Sequence, residues 1–159
     1  MKKTISILIL MLMVSVAASA QESFVKQFKG KEGFSCVTIG KAAMKIMSSR
    51  GKIGREGFSA KLKIGNFADK IDRLEIVAAS TPEASEKLLK ECNKWIENDN
   101  FESIIDVDEQ GQQASIYAKT GGDQNIFLLL AQDKETSVII IYGTMTLEDI
   151  QGITGGSGN

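Results

Sequence analysis

The chain has 159 residues, 19 of them basic and 20 acidic, with two cysteines and no histidine. A near-neutral balance leaves no electrostatic footprint for nucleic acid. The lack of histidine removes Ser-His-Asp and Cys-His nucleophile systems, histidine-ligated zinc and the commonest general base, so that any catalysis would rest on carboxylates, lysine, tyrosine or a lone cysteine.

In chain order, Lys2 and Lys3 form a charged start. Ile5 to Val16 is an apolar run broken only by Ser6 and Ser15, and Ala18-Ser19-Ala20 is a small-x-small cleavage site. This is the pattern of a secretory signal peptide over residues 1–20, with Gln21 as the new N-terminus. The apolar run is shorter than the ~20 residues a spanning helix needs, and no cysteine stands at Gln21 for lipid attachment. The expected product is periplasmic in a cell with two membranes and secreted otherwise, with no transmembrane segment after cleavage. Losing Lys2 and Lys3 moves the net charge from −1 to −3. What remains is expected to be a single α+β domain over residues 21–151 and a flexible tail over 152–159.

"SFVKQFK" (23–29) reads as a short helix with Ser23 as its cap, ended by Gly30 and Gly33. Phe34 to Ile39 is a first strand, and Lys41 to Arg50 a helix with Ala43, Met44, Ile46 and Met47 as its apolar stripe. "RGKIGREG" (50–57) is a glycine-rich loop. Residues 58–69 are ambiguous between strand and irregular helix. Arg73 to Ala79 is a second strand. The best-defined helix follows, capped by Ser80 or Thr81, with Pro82 in its first turn and a stripe of Leu88, Leu89, Cys92, Trp95 and Ile96. The last third reads as four strands, 101–107, 114–119, 126–131 and 137–143, with turns at "DEQG" and "QDKE". "IFLLLA" and "VIIIYG" are apolar on both faces. Such strands are central and covered on both sides, or else one face meets a partner. A short helix, Thr146 to Ile150, closes the pattern. The expected fold is α+β: a mixed, largely antiparallel sheet with the two main helices packed on one face and a C-terminal four-strand meander.

Four stretches carry a resemblance: the leader followed by "SFVKQF", then "VTIGKAAMKIM", then "IDRLEIV" before a long helix, and the closing "VDEQGQQASIYAK" with "VIIIYGTMTLEDI". Together they make the chain similar to the domain-of-unknown-function family 4252, small exported proteins of Bacteroidetes. The resemblance covers nearly all of the chain after residue 20 and implies an envelope location. It carries no catalytic residues over. Many members look like lipoproteins, and this chain departs from that pattern.

Each chemical motif competes with a plain structural reading. Gly40-Lys41 sits between strand and helix like a phosphate-binding loop, but Ser35 stands where the first glycine is needed and Ala42 where a hydroxyl is needed, so a βα turn is expected. "DVDEQG" matches the start of a calcium loop, but Tyr117 stands where the closing glutamate belongs, so a hairpin turn is expected. Cys36 and Cys92 belong to no C-x-x-C pair. Two buried thiols are expected, with a disulfide between them and a reactive thiol as the alternatives. Lys41 to Arg73 holds nine basic residues against three acidic, and Glu83 to Glu109 nine acidic against three basic. A solvated surface is the expected reading of this asymmetry, and the glycine loop with Arg50, Lys52 and Arg55 is the most site-like feature, a candidate binding site for an anionic ligand, a lipid headgroup or an acidic partner surface.

No catalytic residue, metal site or cofactor is assigned. The leading functional expectation is a non-enzymatic exported module that binds an envelope protein partner or a second copy of itself, as a binding or signalling accessory. The alternatives are a carrier of a small apolar or anionic ligand, walled by Met44, Met47 and Trp95, and a hydrolase using carboxylates such as Asp106 and Asp108.

Overall fold

A computed structural model describes residues 23–50 and 65–154, without the side chains of 47–50, 65–66 and 153–154. The expected signal peptide, residues 51–64 and residues 155–159 lie outside that range.

A 3-10 turn, Phe24–Gln27, leads into β1 (Phe34–Gly40) and α1 (Lys41–Arg50). A second 3-10 turn, Gly65–Lys70, runs into β2 (Ile71–Ala79), followed by α2 (Pro82–Asn98). Then come β3 (Glu102–Glu109), β4 (Gln112–Lys119), β5 (Asn125–Gln132), β6 (Thr136–Gly143) and α3 (Leu147–Thr154). The six strands form one sheet in the order β1-β2-β6-β5-β4-β3. Every neighbouring pair is antiparallel. The expected α+β class and closing meander are therefore observed, and the sheet is antiparallel throughout rather than mixed. β2 and β3 run in the same direction with three strands between them, so α2 carries the chain across the sheet to its far edge.

Local chemistry sets the joints. Thr81 adopts an extended conformation at the start of α2, its side chain accepts from the Ala84 amide at 3.2 Å, and Pro82 fills the first turn. The β3–β4 connection is the two residues Gln110 and Gly111, both with positive φ (52° and 83°). That is the type I′ geometry that matches strand twist, and it makes "DVDEQG" a hairpin. At Gly143 an added Cβ would collide with the Lys70 carbonyl. The same carbonyl accepts from the Thr144 amide at 2.9 Å, pinning the second 3-10 turn to the end of β6. The last helix begins with a capping box. The Thr146 amide donates to Asp149 Oδ2 at 2.9 Å and the Asp149 amide to Thr146 Oγ1 at 3.3 Å. Lys70 Nζ adds a contact to Asp149 at 2.8 Å, and the Asp149 carboxyl is held below its ordinary range chiefly by that lysine and the Thr146 amide. The helix runs on to Thr154, past the Ile150 limit expected from the sequence.

The core has two halves, one on each face of the sheet. On the first, Ala84, Leu88 and Cys92 of α2 pack with Phe24, Val25 and Phe28 on Val77, Leu128, Val138 and Ile140. On the second, Met44 of α1 and Ile150 of α3 pack with Ala68 and Met145 on Ile71, Leu74, Phe127, Ile139 and Ile141. The two main helices thus divide between the faces instead of sharing one. The cause is β6, whose Val138, Ile140 and Tyr142 face one way and Ile139 and Ile141 the other, all of them buried. A strand apolar on both sides needs cover on both sides.

This arrangement predicts unequal costs along α2. Thr81→Ala should lower unfolding free energy by about 1 kcal/mol through the lost cap, whereas Leu88→Ala should cost about 3 kcal/mol through the cavity it leaves. Urea unfolding followed by circular dichroism measures both.

Candidate functional site

The α2 face is not fully covered. Between the first 3-10 turn, the C-terminal half of α2 and strands β2, β6 and β5 lies a cleft of about 860 Å³. Its apolar wall is Phe24, Trp95 and Ile126. Phe24 stacks on Trp95 with ring centroids 5.1 Å apart and planes 16° from parallel. Phe101 meets Trp95 edge-on, with ring centroids 5.1 Å apart. The Trp95 indole N–H donates to Asp99 Oδ2 at 3.2 Å, and Lys119 Nζ reaches the same oxygen at 3.1 Å. The tryptophan is therefore fixed in place by packing and a polar tether together.

Against the cleft stands a charged cluster on β2 and β6. Arg73 and Glu75 are two residues apart on β2, so both side chains emerge on the same face of the sheet. Tyr142 lies opposite Arg73 in the β2–β6 register. Glu75 is 1% exposed. Ser23 Oγ donates to its Oε1 at 2.6 Å and Tyr142 Oη to its Oε2 at 3.2 Å. The Arg73 guanidinium lies over the Tyr142 ring, 4.1 Å from the centroid. Arg73 Nε is 3.2 Å from Glu75 Oε1, close enough for an ion pair. Its N–H nevertheless makes no hydrogen bond, so the contact is electrostatic and a donor is left over. Burial raises the Tyr142 hydroxyl to about 12, helped by the Glu75 charge and partly offset by Arg73.

An isolated carboxylate in an apolar interior is strongly disfavoured. Here three neighbours offset that cost, and the result is a rigid floor in which Glu75 is fully engaged while Arg73, 40% exposed, faces the cleft. Lys94 and Lys119 stand on the rim beside Glu91 and Asp99. A smaller depression of about 390 Å³ lies at the start of α2, lined by Lys31, Glu32, Glu83 and Lys87 among others. These four are exposed, so that depression lacks an organised polar floor.

Of the candidate site residues singled out from the sequence, Trp95 lies in the cleft and the others among the described residues do not line it. Lys52, Arg55 and the side chain of Arg50 lie outside the described residues. Lys41 donates to Asp72 at 2.9 Å, and Gln124 donates to the same carboxylate at 3.0 Å. Asp72 is held below its ordinary range chiefly by the bond from Lys41 and then by that from Gln124. Gly40-Lys41 is thus a strand-to-helix turn whose lysine already holds a carboxylate. Cys36 and Cys92 both face the α2 half of the core and both are free thiols. Burial raises Cys92 to about 12 and raises Cys36 against the nearby Lys29 charge, which makes neither a ready nucleophile. Asp106 accepts from Ser115 at 2.7 Å and Asp108 from Gln113 at 3.3 Å, on the exposed edge strand β3 and away from the cleft. The proposed wall of Met44, Met47 and Trp95 does not assemble. Met44 and Trp95 pack on opposite faces of the sheet, because Met44 follows α1 to the second face, and the Met47 side chain is outside the described residues. Ser23 does not cap the first 3-10 turn. Its hydroxyl goes to Glu75 instead, because a buried carboxylate is the stronger acceptor. Among the described residues no group of three or more histidine, cysteine or acidic side chains is placed to hold a metal ion, and no helix is long and apolar enough to cross a membrane.

The cluster itself was not picked out from the sequence, although a signal was present. "RLEIV" places Arg73 and Glu75 on the same alternating face as Val77, inside a strand flanked by apolar neighbours. A charge pair on the core face of a central strand is unusual enough to mark a site.

The family described as Domain of unknown function (DUF4252) matches residues 28–153. The chain belongs to that family. The matched span contains Arg73, Glu75, Trp95 and Tyr142 and begins just after Ser23 and Phe24. No curated protein and no solved structure matches the chain.

The cluster makes a pH prediction. Tyr142 is raised in the folded protein, so its neutral form contributes stability that is complete below the ordinary tyrosine range and lost as pH climbs towards about 12. Absorbance titration of tyrosinate should show Tyr142 ionising late. Glu75→Gln, which removes the negative neighbour, should move that step to lower pH. An unchanged step would mean that burial alone holds it.

Proposed function

We propose that the chain is a non-catalytic binding module of the cell envelope, exported by its leader, and that it binds in the cleft over Arg73 and Trp95. The ligand class is an anionic group attached to an apolar or aromatic body. One observation carries this reading: Glu75, a buried carboxylate with Ser23, Arg73 and Tyr142 around it. Packing alone does not call for a charge there, since well-packed apolar residues hold a sheet at least as well as a buried ion pair does. The arrangement makes sense as a support for Arg73, which it fixes at the cleft wall with its side chain 40% exposed.

Arginine suits the role. Its planar fork matches carboxylate, sulfonate and phosphate oxygens, and it stays charged at any physiological pH. Phe24, Trp95 and Ile126 supply the apolar contact beside it. Rigid aromatic walls with a few convergent polar groups are the usual make-up of small-molecule sites. This merges the expected binding module with the ligand carrier. The carboxylate hydrolase has less support, because Asp106 and Asp108 sit on an exposed edge and bond to neutral side chains.

Anilinonaphthalene sulfonate, an anion on an aromatic body, is a direct probe. Titration should saturate at a single site, with energy transfer from Trp95, the only tryptophan. Arg73→Gln should weaken binding roughly ten-fold, the worth of one charge-assisted hydrogen bond. Non-saturating binding, or equal affinity in the folded Arg73→Gln protein, would contradict the reading.

A further inference from the structure

The two edges of the sheet are built differently. β3 is a guarded edge: Glu102, Asp106, Asp108 and Glu109 are exposed along it, and its register with β4 slips between Ser103 and Ile105. Charges and bulges of this kind keep an edge from pairing with another strand. β1, "FSCVTIG", has none of these devices. It holds no charged residue and no proline, and its seven residues pair with β2 without a slip. Among the described residues nothing pairs with its outer side. Ser35, Val37, Thr38 and Gly40 are exposed, Val37 by 44%.

We propose that β1 is the interface of a symmetric homodimer, in which the β1 strands of two copies pair antiparallel about a two-fold axis at Val37. Three features favour a second copy as the occupant. The strand is uncharged, so it offers no charge pattern for a distinct partner to match and sets no like charges against a copy of itself. An isologous pairing satisfies the same backbone donors and acceptors on both copies at once. The side chains also fit their own reverse. Val37 meets Val37 of the second copy and lengthens the row Val37, Ile76, Ile139, Leu129, Ile116 that the register lays across one face of the sheet. Phe34 falls opposite Gly40 of the second copy, an aromatic-over-glycine pair that stabilises strand pairing. Gly40 does not have positive φ, and a Cβ there would meet nothing within 4 Å. The interior of one copy therefore does not require glycine at that position, which leaves it open to the aromatic ring of a second copy.

Light scattering on the purified protein should give the mass of two chains at tens of micromolar, roughly the concentration at which a modest interface is occupied. Val37→Lys sets two like charges directly opposite each other. It should give a folded monomer, since Val37 is 44% exposed and lies outside the buried core. The axis itself is tested in a Cys36→Ser background. Val37→Cys places two thiols on opposed residues about 5 Å apart and should cross-link on mild oxidation. Ser35→Cys places them about 13 Å apart along the strands and should not. A monomer at every concentration, a dimer untouched by Val37→Lys, or equal cross-linking at positions 35 and 37 would overturn the proposal. All of these readouts are independent of whether the cleft binds anything.

Discussion

Strand β6 cannot give either face to water, and the rest of the molecule is arranged around that constraint. Val138 and Ile140 face one layer and Ile139 and Ile141 the other, with at most 9% of any of them exposed. Sandwiched between β2 and β5, the strand holds together a three-layer arrangement with α2 on one side and α1 and α3 on the other. The amphipathic α2 covers one side while α1, the second 3-10 turn and α3 cover the other. Three small elements on one side are tied to each other by short contacts, with the Lys70 carbonyl on Thr144 and the Lys70 ammonium on Asp149. By itself α2 is too narrow to cover a six-stranded sheet, since a helix is about 10 Å across and strands are spaced by about 4.8 Å.

The shortfall on the α2 side explains both the aromatic cluster and the cleft. Phe24, Phe28, Phe34, Trp95 and Phe101 form a chain of ring contacts around the helix and strand ends. They fill what α2 does not reach, and Glu75 with its neighbours occupies the sheet surface left between them. The charge sits deep in the fold because β2 is interior to the sheet. It is reachable because the cover above Arg73 is incomplete. A site of this kind needs rigid backing and an open front, and here one structural cause provides both.

Much of the scaffold was legible in the sequence because it rests on local chemistry. Thr81-Pro82 announces the start of α2, the stripe through Leu88 and Cys92 gives its buried face, and the doubly apolar "VIIIYG" identifies a central strand. The placement of α1 was not legible. Its stripe says that one side is buried but not which side of the sheet receives it, and that choice depends on which strand faces lack cover once the whole sheet exists. The site was missed for a related reason. Ser23, Arg73, Glu75, Trp95 and Tyr142 span most of the chain and form no motif, so only the strand register brings them together. Ser23 shows the limit well: local rules make it a helix cap, and a long-range carboxylate takes its hydroxyl instead. The basic glycine loop drew attention through net charge alone, which describes a segment's field and not its geometry.

Native mass spectrometry of the protein purified from the producing cell tests the central claim, that the cleft holds an anionic ligand over Arg73. The account predicts a retained adduct on the wild-type chain whose mass belongs to an acidic compound with an apolar portion, and its loss from a folded Arg73→Gln chain. A wild-type chain that flies bare, or an adduct carried equally by both proteins, would contradict it.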